Sequence, residues 1–111
     1  MTDPEYMDRA EALLRGIEAQ CDRLADSAGA DIDSQCAGGM VTLVFADRSQ
    51  IVVNLQPPLH EVWLAARSGG YHYRLADGIW RDTKSGEDFF DRLSRSATEQ
   101  AGMPLRFTLP A

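Results

Sequence analysis

The chain has 111 residues, 44% of them apolar and 25% charged, with a formal net charge of −6. That is the length and composition of one ordinary globular domain with a modest core. No apolar run approaches the roughly 18 residues that a membrane span needs, and an acidic excess repels a phosphate backbone, which argues against nucleic acid as a partner.

The opening residues, MTDPEYMDRAEALL, carry no basic n-region and lack the Arg-rich composition of a mitochondrial presequence, so the expected location is cytoplasmic. Asp3-Pro4 reads as a helix start, with an acceptor at the N-cap and proline in the first turn. Tyr6, Ala10, Leu13, Ile17, Cys21 and Leu24 then recur at steps of three and four, which predicts one buried stripe on a helix ending near residue 26.

Six short extended runs follow, each closed by turn residues: DIDSQC, MVTLVF, QIVVNL, EVWLAA, YHYRL and IWRD. Gly38-Gly39 and Gly69-Gly70 read as turns. Connections this short allow only antiparallel neighbours, because a parallel crossover needs about a dozen residues. Ser85-Gly86-Glu87-Asp88 resembles a capping box that opens a second helix, with Phe90, Leu93 and Ala97 as its apolar stripe and Gly102 and Pro104 as its stop. LRFTLPA is a short extended tail.

Helix, five or six strands, helix is an α+β arrangement. Two amphipathic helices cover one face of such a sheet, giving a two-layer sandwich with a single domain over 1–111. Alternation turns Val41, Leu43, Phe45, Ile51, Val53, Leu55, Val62, Leu64, Tyr71 and Tyr73 toward the helices. It turns Thr42, Val44, Gln50, Val52, Asn54, Trp63, His72 and Arg74 outward.

The charge is unevenly placed. Residues 1–33 hold nine acids against three bases, a net −6, while the eight acids and eight bases of 34–111 cancel. On the first helix Glu11, Glu18 and Asp22 lie opposite the apolar stripe, with Asp8 and Asp26 at its edge. Glu18/Asp22 and Asp22/Asp26 stand four apart, so either pair can close on one ion, whereas Glu11 and Glu18 are about 10 Å apart along the axis. Asp31 and Asp33 share one side of the first strand. All-oxygen ligands suit hard cations, bound weakly where two carboxylates leave most positions to water. The same acids also read as a solvated helix face or as a docking surface for a basic protein.

Trp63 belongs by alternation to the open face, where it is either an interface anchor or a cross-strand packing partner under Arg67 or Arg74. His60 and His72 have no sequence neighbour that completes a metal pair or a catalytic triad. Cys21 and Cys36 lack the spacing of a structural zinc site and read as packed thiols. No nucleophile with its base is evident, and the chain is read as a non-enzyme.

The stretch NLQPPLHEVWLAARSGGYHY, residues 54–73, resembles the core signature of the frataxin family. Asn-x-Gln-x-Pro, Trp-Leu and Gly-Gly occur at family spacing, the acidic first helix and first strand lie upstream, and the element order matches over essentially the whole chain. The resemblance is to the short bacterial members. It implies a small cytoplasmic iron-binding protein that takes part in iron–sulfur cluster assembly, binds cysteine desulfurase, modulates cluster formation and is a candidate iron donor. It carries weak Fe²⁺/Fe³⁺ sites over onto Glu11, Glu18, Asp22, Asp31 and Asp33, with Asp26 beside them. It also carries partner contact onto Trp63, Asn54 and Gln56 of the open face, for the scaffold protein, and onto Glu18 and Asp22, for the desulfurase. It implies a monomer, with iron-driven self-association left open.

Two departures stand out. Leu55 replaces the basic residue usual between the Asn and the Gln, and Ala19, Arg23, Ala25, Ala28 and Ala30 stand where acids often occur. The competing reading is an acidic protein-interaction module with no physiological metal binding.

Overall fold

The structure is a computed structural model that describes residues 1–108. Helix α1 spans Asp3–Ser27 and is followed by six strands: β1 (Ile32–Ala37), β2 (Met40–Phe45), β3 (Gln50–Gln56), β4 (Glu61–Ala66), β5 (Gly69–Ala76) and β6 (Ile79–Asp82). A 3₁₀ turn, Pro57–Leu59, joins β3 to β4, and helix α2 spans Phe89–Ala101. The strands form one antiparallel sheet in the order β1-β2-β3-β4-β5-β6, the expected meander. Both helices pack on one face, α1 chiefly against β1 and β2 and α2 against β6. This is the two-layer α+β sandwich that the sequence predicts.

The start of α1 differs from expectation by one residue. Thr2, not Asp3, is the N-cap: its hydroxyl accepts the Glu5 N–H at 3.2 Å, and the Glu5 carboxylate accepts from the Thr2 N–H at 3.4 Å. That reciprocal box satisfies two donors that Asp3 alone could not, and it holds the Glu5 carboxyl below the usual carboxylate range. Asp3 is left to accept from His60 at 2.6 Å, and His60 stacks on Tyr6 with ring centroids 5.0 Å apart. Tyr6 then fixes the β3–β4 hairpin: its hydroxyl donates to the Glu61 carbonyl at 2.6 Å and accepts the Gln56 N–H at 3.1 Å. The helix start and the hairpin carrying the frataxin-like signature are thereby one unit.

The second helix also starts later than predicted. Ser85 is not its cap; the Ser85 hydroxyl accepts the Glu87 N–H, and Asp82 accepts the Lys84 and Ser85 N–H groups inside a preceding turn. Asp88 caps α2 by accepting the Phe90 N–H at 2.8 Å, and Gly102 closes the helix in the left-handed region at φ 72°. Buried Gln100 of α2 accepts the Arg67 N–H and donates to the Gln50 carbonyl, so this helix holds two sheet turns in place.

The Gly69-Gly70 turn is a further correction. The two-residue turn is Arg67-Ser68, and both glycines open β5, paired with Ala66 and Ala65. Gly69 sits at φ 147°, a conformation that side chains disfavour, which lets the strand leave so tight a turn. This register places His72 opposite Trp63.

The inner face behaves as alternation requires. Val41, Leu43, Phe45, Ile51, Val53, Val62, Leu64 and Tyr73 are buried beneath Tyr6, Leu13, Leu14, Ile17, Phe89 and Leu93, with Leu55 and Tyr71 half-buried at the margin. Each large apolar side chain buried there contributes about 1.5–3 kcal/mol. A one-residue slip of β4 would bring Glu61, Trp63 and Ala65 inward and expel Val62 and Leu64, so the core fixes the open face as firmly as it fixes itself.

The C-terminal segment has no regular secondary structure over residues 104–108, and it is tied down by side chains. Ser94 and Thr98 of α2 each exchange two hydrogen bonds with the backbone, at Phe107 and Leu105, while Gln20 of α1 does so at Thr108. Leu105 and Phe107 are buried between the helices. The remainder of that expected tail, 109–111, lies outside the described residues.

Candidate functional site

Two surfaces are built by this frame, an acidic edge and an open sheet face. The edge forms where α1 meets β1, the sheet's first strand. Glu11, Asp22 and Asp26 are exposed on α1, Glu18 is half-buried, Asp31 is exposed immediately before β1, and Asp33 is exposed on it. Among the described residues none of these six carboxylates takes part in an ion pair or a side-chain hydrogen bond. Elsewhere four carboxylates are matched by arginine: Asp47 by Arg67, Glu61 by Arg74, Glu87 by Arg92 and Arg95, Asp91 by Arg106. Asp26 also lies in the last turn of α1, which has no basic residue, where the helix dipole disfavours a negative charge.

Buried Cys21 senses the convergence of these acids. Burial first, and then the charges of Asp22, Asp33 and Glu18, push its thiol up to about 11 against an opposing hydrogen bond from Ser34. Carboxylates from α1 and from β1 thus act on one point, although no three His, Cys, Asp or Glu side chains among the described residues gather into an enclosed metal centre. The donor set is open, hard and water-accessible, which fits weak binding of a hard cation by one or two carboxylates rather than a cage.

The open face is centred on Trp63, which is half-buried and lies on the sheet side away from the helices. His72, its cross-strand partner, stacks on the indole with centroids 4.1 Å apart and planes 8° from parallel. The indole N–H donates to Glu61 Oε1 at 2.8 Å, and Arg74 Nε donates to Glu61 Oε2 at 2.9 Å. Asn54 sits across from Trp63 on β3, and its side-chain oxygen accepts from Gln56 at 2.8 Å. The structure therefore brings Asn54, Gln56 and Trp63 together, and adds Glu61, His72 and Arg74. From the sequence, Arg74 is only a candidate cover for Trp63, and Glu61 and His72 have no role. Alternation already set Glu61 and Trp63 two residues apart on one face; the missing signal was the β4–β5 register, which depended on where the glycines fall.

A cleft of about 370 Å³ opens beside His72, between β5, the loop after β6 and the start of α2. Its carboxylates are already engaged, Glu87 with Arg92 at 3.3 Å and Asp82 with the loop backbone. Among the described residues no helix is long and apolar enough to cross a membrane.

A two-layer sandwich with an acidic first-helix edge and a half-buried tryptophan on an uncovered sheet defines the frataxin-like class, and the comparisons agree. The model of the frataxin-like domain matches residues 1–103, and the chain belongs to that family. It is 63% identical over 107 residues to the iron–sulfur cluster assembly protein CyaY of Variovorax paradoxus, covering 96% of this chain and 97% of the relative. To the protein of the same name from Paracidovorax citrulli it is 59% identical over 108 residues, covering 97% and 98%. The solved frataxin of Psychromonas ingrahamii superposes with a TM-score of 0.87 at 35% identity, covering 98% of this chain and all of that one. A trimeric Saccharomyces cerevisiae frataxin complexed with ferrous iron superposes with a TM-score of 0.74 at 24% identity, covering 85% of this chain and 86% of that one, a likeness of fold.

The environment of Cys21 has a measurable consequence. Its folded-state value lies above the ordinary 9.0, so the neutral thiol is favoured by folding. This contribution to stability is complete below pH 9 and is lost as the pH rises toward about 11. At pH 8, iodoacetamide should label exposed Cys36 and leave buried Cys21 unmodified until denaturant is added. Mass spectrometry of tryptic peptides checks this; equal labelling of both thiols in the native protein would contradict the site's geometry.

Proposed function

We propose that this protein acts in cytoplasmic iron–sulfur cluster assembly as one non-enzymatic domain over 1–111, working through two separate surfaces. The observation that carries the reading is a clustering of unmatched charge: six carboxylates with no ion-pair partner among the described residues gather on the α1/β1 edge, whereas Asp47, Glu61, Glu87 and Asp91 each meet an arginine. Its relatives' shared name, iron–sulfur cluster assembly protein, supports the process.

In this account Glu11, Glu18, Asp22, Asp26, Asp31 and Asp33 bind Fe²⁺ or Fe³⁺ at low affinity, as cargo or signal. Glu18 and Asp22 also meet a basic surface of cysteine desulfurase. A cation on the edge weakens the negative potential that steers the desulfurase, so iron and that partner compete through one field. Such coupling makes the protein an iron-responsive modulator of the desulfurase and permits delivery of iron to the scaffold. Trp63, with Asn54 and Gln56, receives the scaffold protein. A large indole with one polar handle is the kind of anchor that dominates interface energy.

Anaerobic titration of Fe²⁺, followed by backbone amide NMR, tests the metal claim. Line broadening confined to residues 11–33 is expected. Spectra unchanged at millimolar iron would leave an acidic interaction module that does not see metal. Desulfurase binding across a salt series tests the docking claim. Raising salt from about 0.05 to 0.5 M shortens the screening length severalfold and should weaken the complex at least about tenfold. A complex indifferent to salt would rule out steering by the edge.

A further inference from the structure

Glu61 is the only charged side chain among the described residues that the fold buries, at 6% exposed. It does not face the core. It lies at the start of β4, opposite Gln56 on β3 and Arg74 on β5, beneath the open face. A carboxylate removed from water needs charge-assisted donors, and the donors here are surface groups of the docking face. Oε1 accepts the Trp63 indole N–H at 2.8 Å and stands 3.9 Å from His72 Nδ1; Oε2 accepts from Arg74 at 2.9 Å. The backbone beneath is equally fixed, since the Glu61 carbonyl accepts the Tyr6 hydroxyl.

We propose that Glu61 is the positioning residue of the docking face: its buried carboxylate locks Trp63 and Arg74 in the orientation in which a partner protein meets them. An indole on an uncovered sheet has rotamers to lose on binding, and that loss weakens association. Here the ring edge is held by Glu61 and one ring face by His72, two constraints that leave the other face presented. Packing alone does not call for a carboxylate at this place, because an uncharged side chain would serve the sheet equally well. The charge has a use only if Trp63 and Arg74 must be held together. The proposal rests on the reading of the open face as the scaffold-docking surface.

Glu61→Gln, Glu61→Leu, Trp63→Ala and the Glu61→Leu/Trp63→Ala pair test it, by calorimetric titration of purified iron–sulfur scaffold protein into each. Glu61→Leu should weaken the complex about tenfold, as loss of an anchor's support does. Glu61→Gln, whose amide oxygen still accepts the indole N–H but whose amide nitrogen cannot accept from Arg74, should cost an intermediate amount, about threefold. In the Trp63→Ala background Glu61→Leu should add nothing, because one residue acts through the other. Without any partner, NMR hydrogen exchange of the Trp63 indole N–H should quicken in Glu61→Leu and stay slow in Glu61→Gln.

Scaffold affinity retained in Glu61→Leu but lost in Trp63→Ala overturns this proposal alone. Wild-type affinity in Trp63→Ala overturns the docking reading and the proposal with it. Should Glu61→Leu fail to fold, Trp63→Phe, which keeps a ring but no N–H, is expected to weaken the complex as Glu61→Leu would; wild-type affinity there overturns the proposal.

Discussion

A sheet with helices on one side has a single core, and everything functional in this molecule follows from that constraint. Two helices cover one face of six strands, so each strand must be apolar at every second residue and tolerant of water at the others. Val62 and Leu64 are sealed, and Glu61 and Trp63 are thereby committed to the uncovered side. The core does not merely stabilise the domain. It sets the register that assembles Asn54, Trp63 and His72 into one row across three strands.

The same economy governs charge. Asp47, Glu61, Glu87 and Asp91 each meet an arginine, while none of the six carboxylates along the α1/β1 edge does. Unmatched carboxylates four residues apart repel by a few tenths of a kcal/mol per pair, and Asp26 opposes the helix dipole as well. A fold that tolerates this at one edge, and buries a paired carboxylate under its aromatic platform, has its two kinds of electrostatics in two places. One is long-ranged and screenable, suited to cations and basic partners; the other is short-ranged and geometric, suited to presenting a side chain. Tyr6 links them mechanically, since the helix that bears the acids is hydrogen-bonded through this phenol to the hairpin that bears the tryptophan.

Much of this was legible in the sequence. Apolar spacing of three and four gave α1 and its buried stripe, short turns forced an antiparallel meander, and the count of helices gave the uncovered face. What the sequence left hidden depended on competition between neighbouring hydrogen-bonding groups. Thr2 outcompeted Asp3 as a cap because Glu5 could reciprocate, and Asp88 outcompeted Ser85 because Asp82 had already organised the intervening turn. Gly69-Gly70 looked like a turn because glycine permits one; the chain turned a step earlier and used the glycines to enter β5. That step decided which residue faces Trp63, so the His72 stack and the Glu61 network were legible only after the register was known. The acidic edge was the most readable feature, because a net charge confined to one segment survives errors in element boundaries.

The central claim is that the edge carboxylates are kept without counter-ions at the expense of stability. Urea unfolding of Asp22→Asn/Asp26→Asn at low salt measures this most directly. The account predicts a rise in unfolding free energy of about 1 kcal/mol, from relief of i,i+4 repulsion and of the unfavourable helix end, shrinking as salt is added. A comparable fall in stability would mean that these carboxylates hold the fold together, and the edge would lose its standing as a surface reserved for cations and partners.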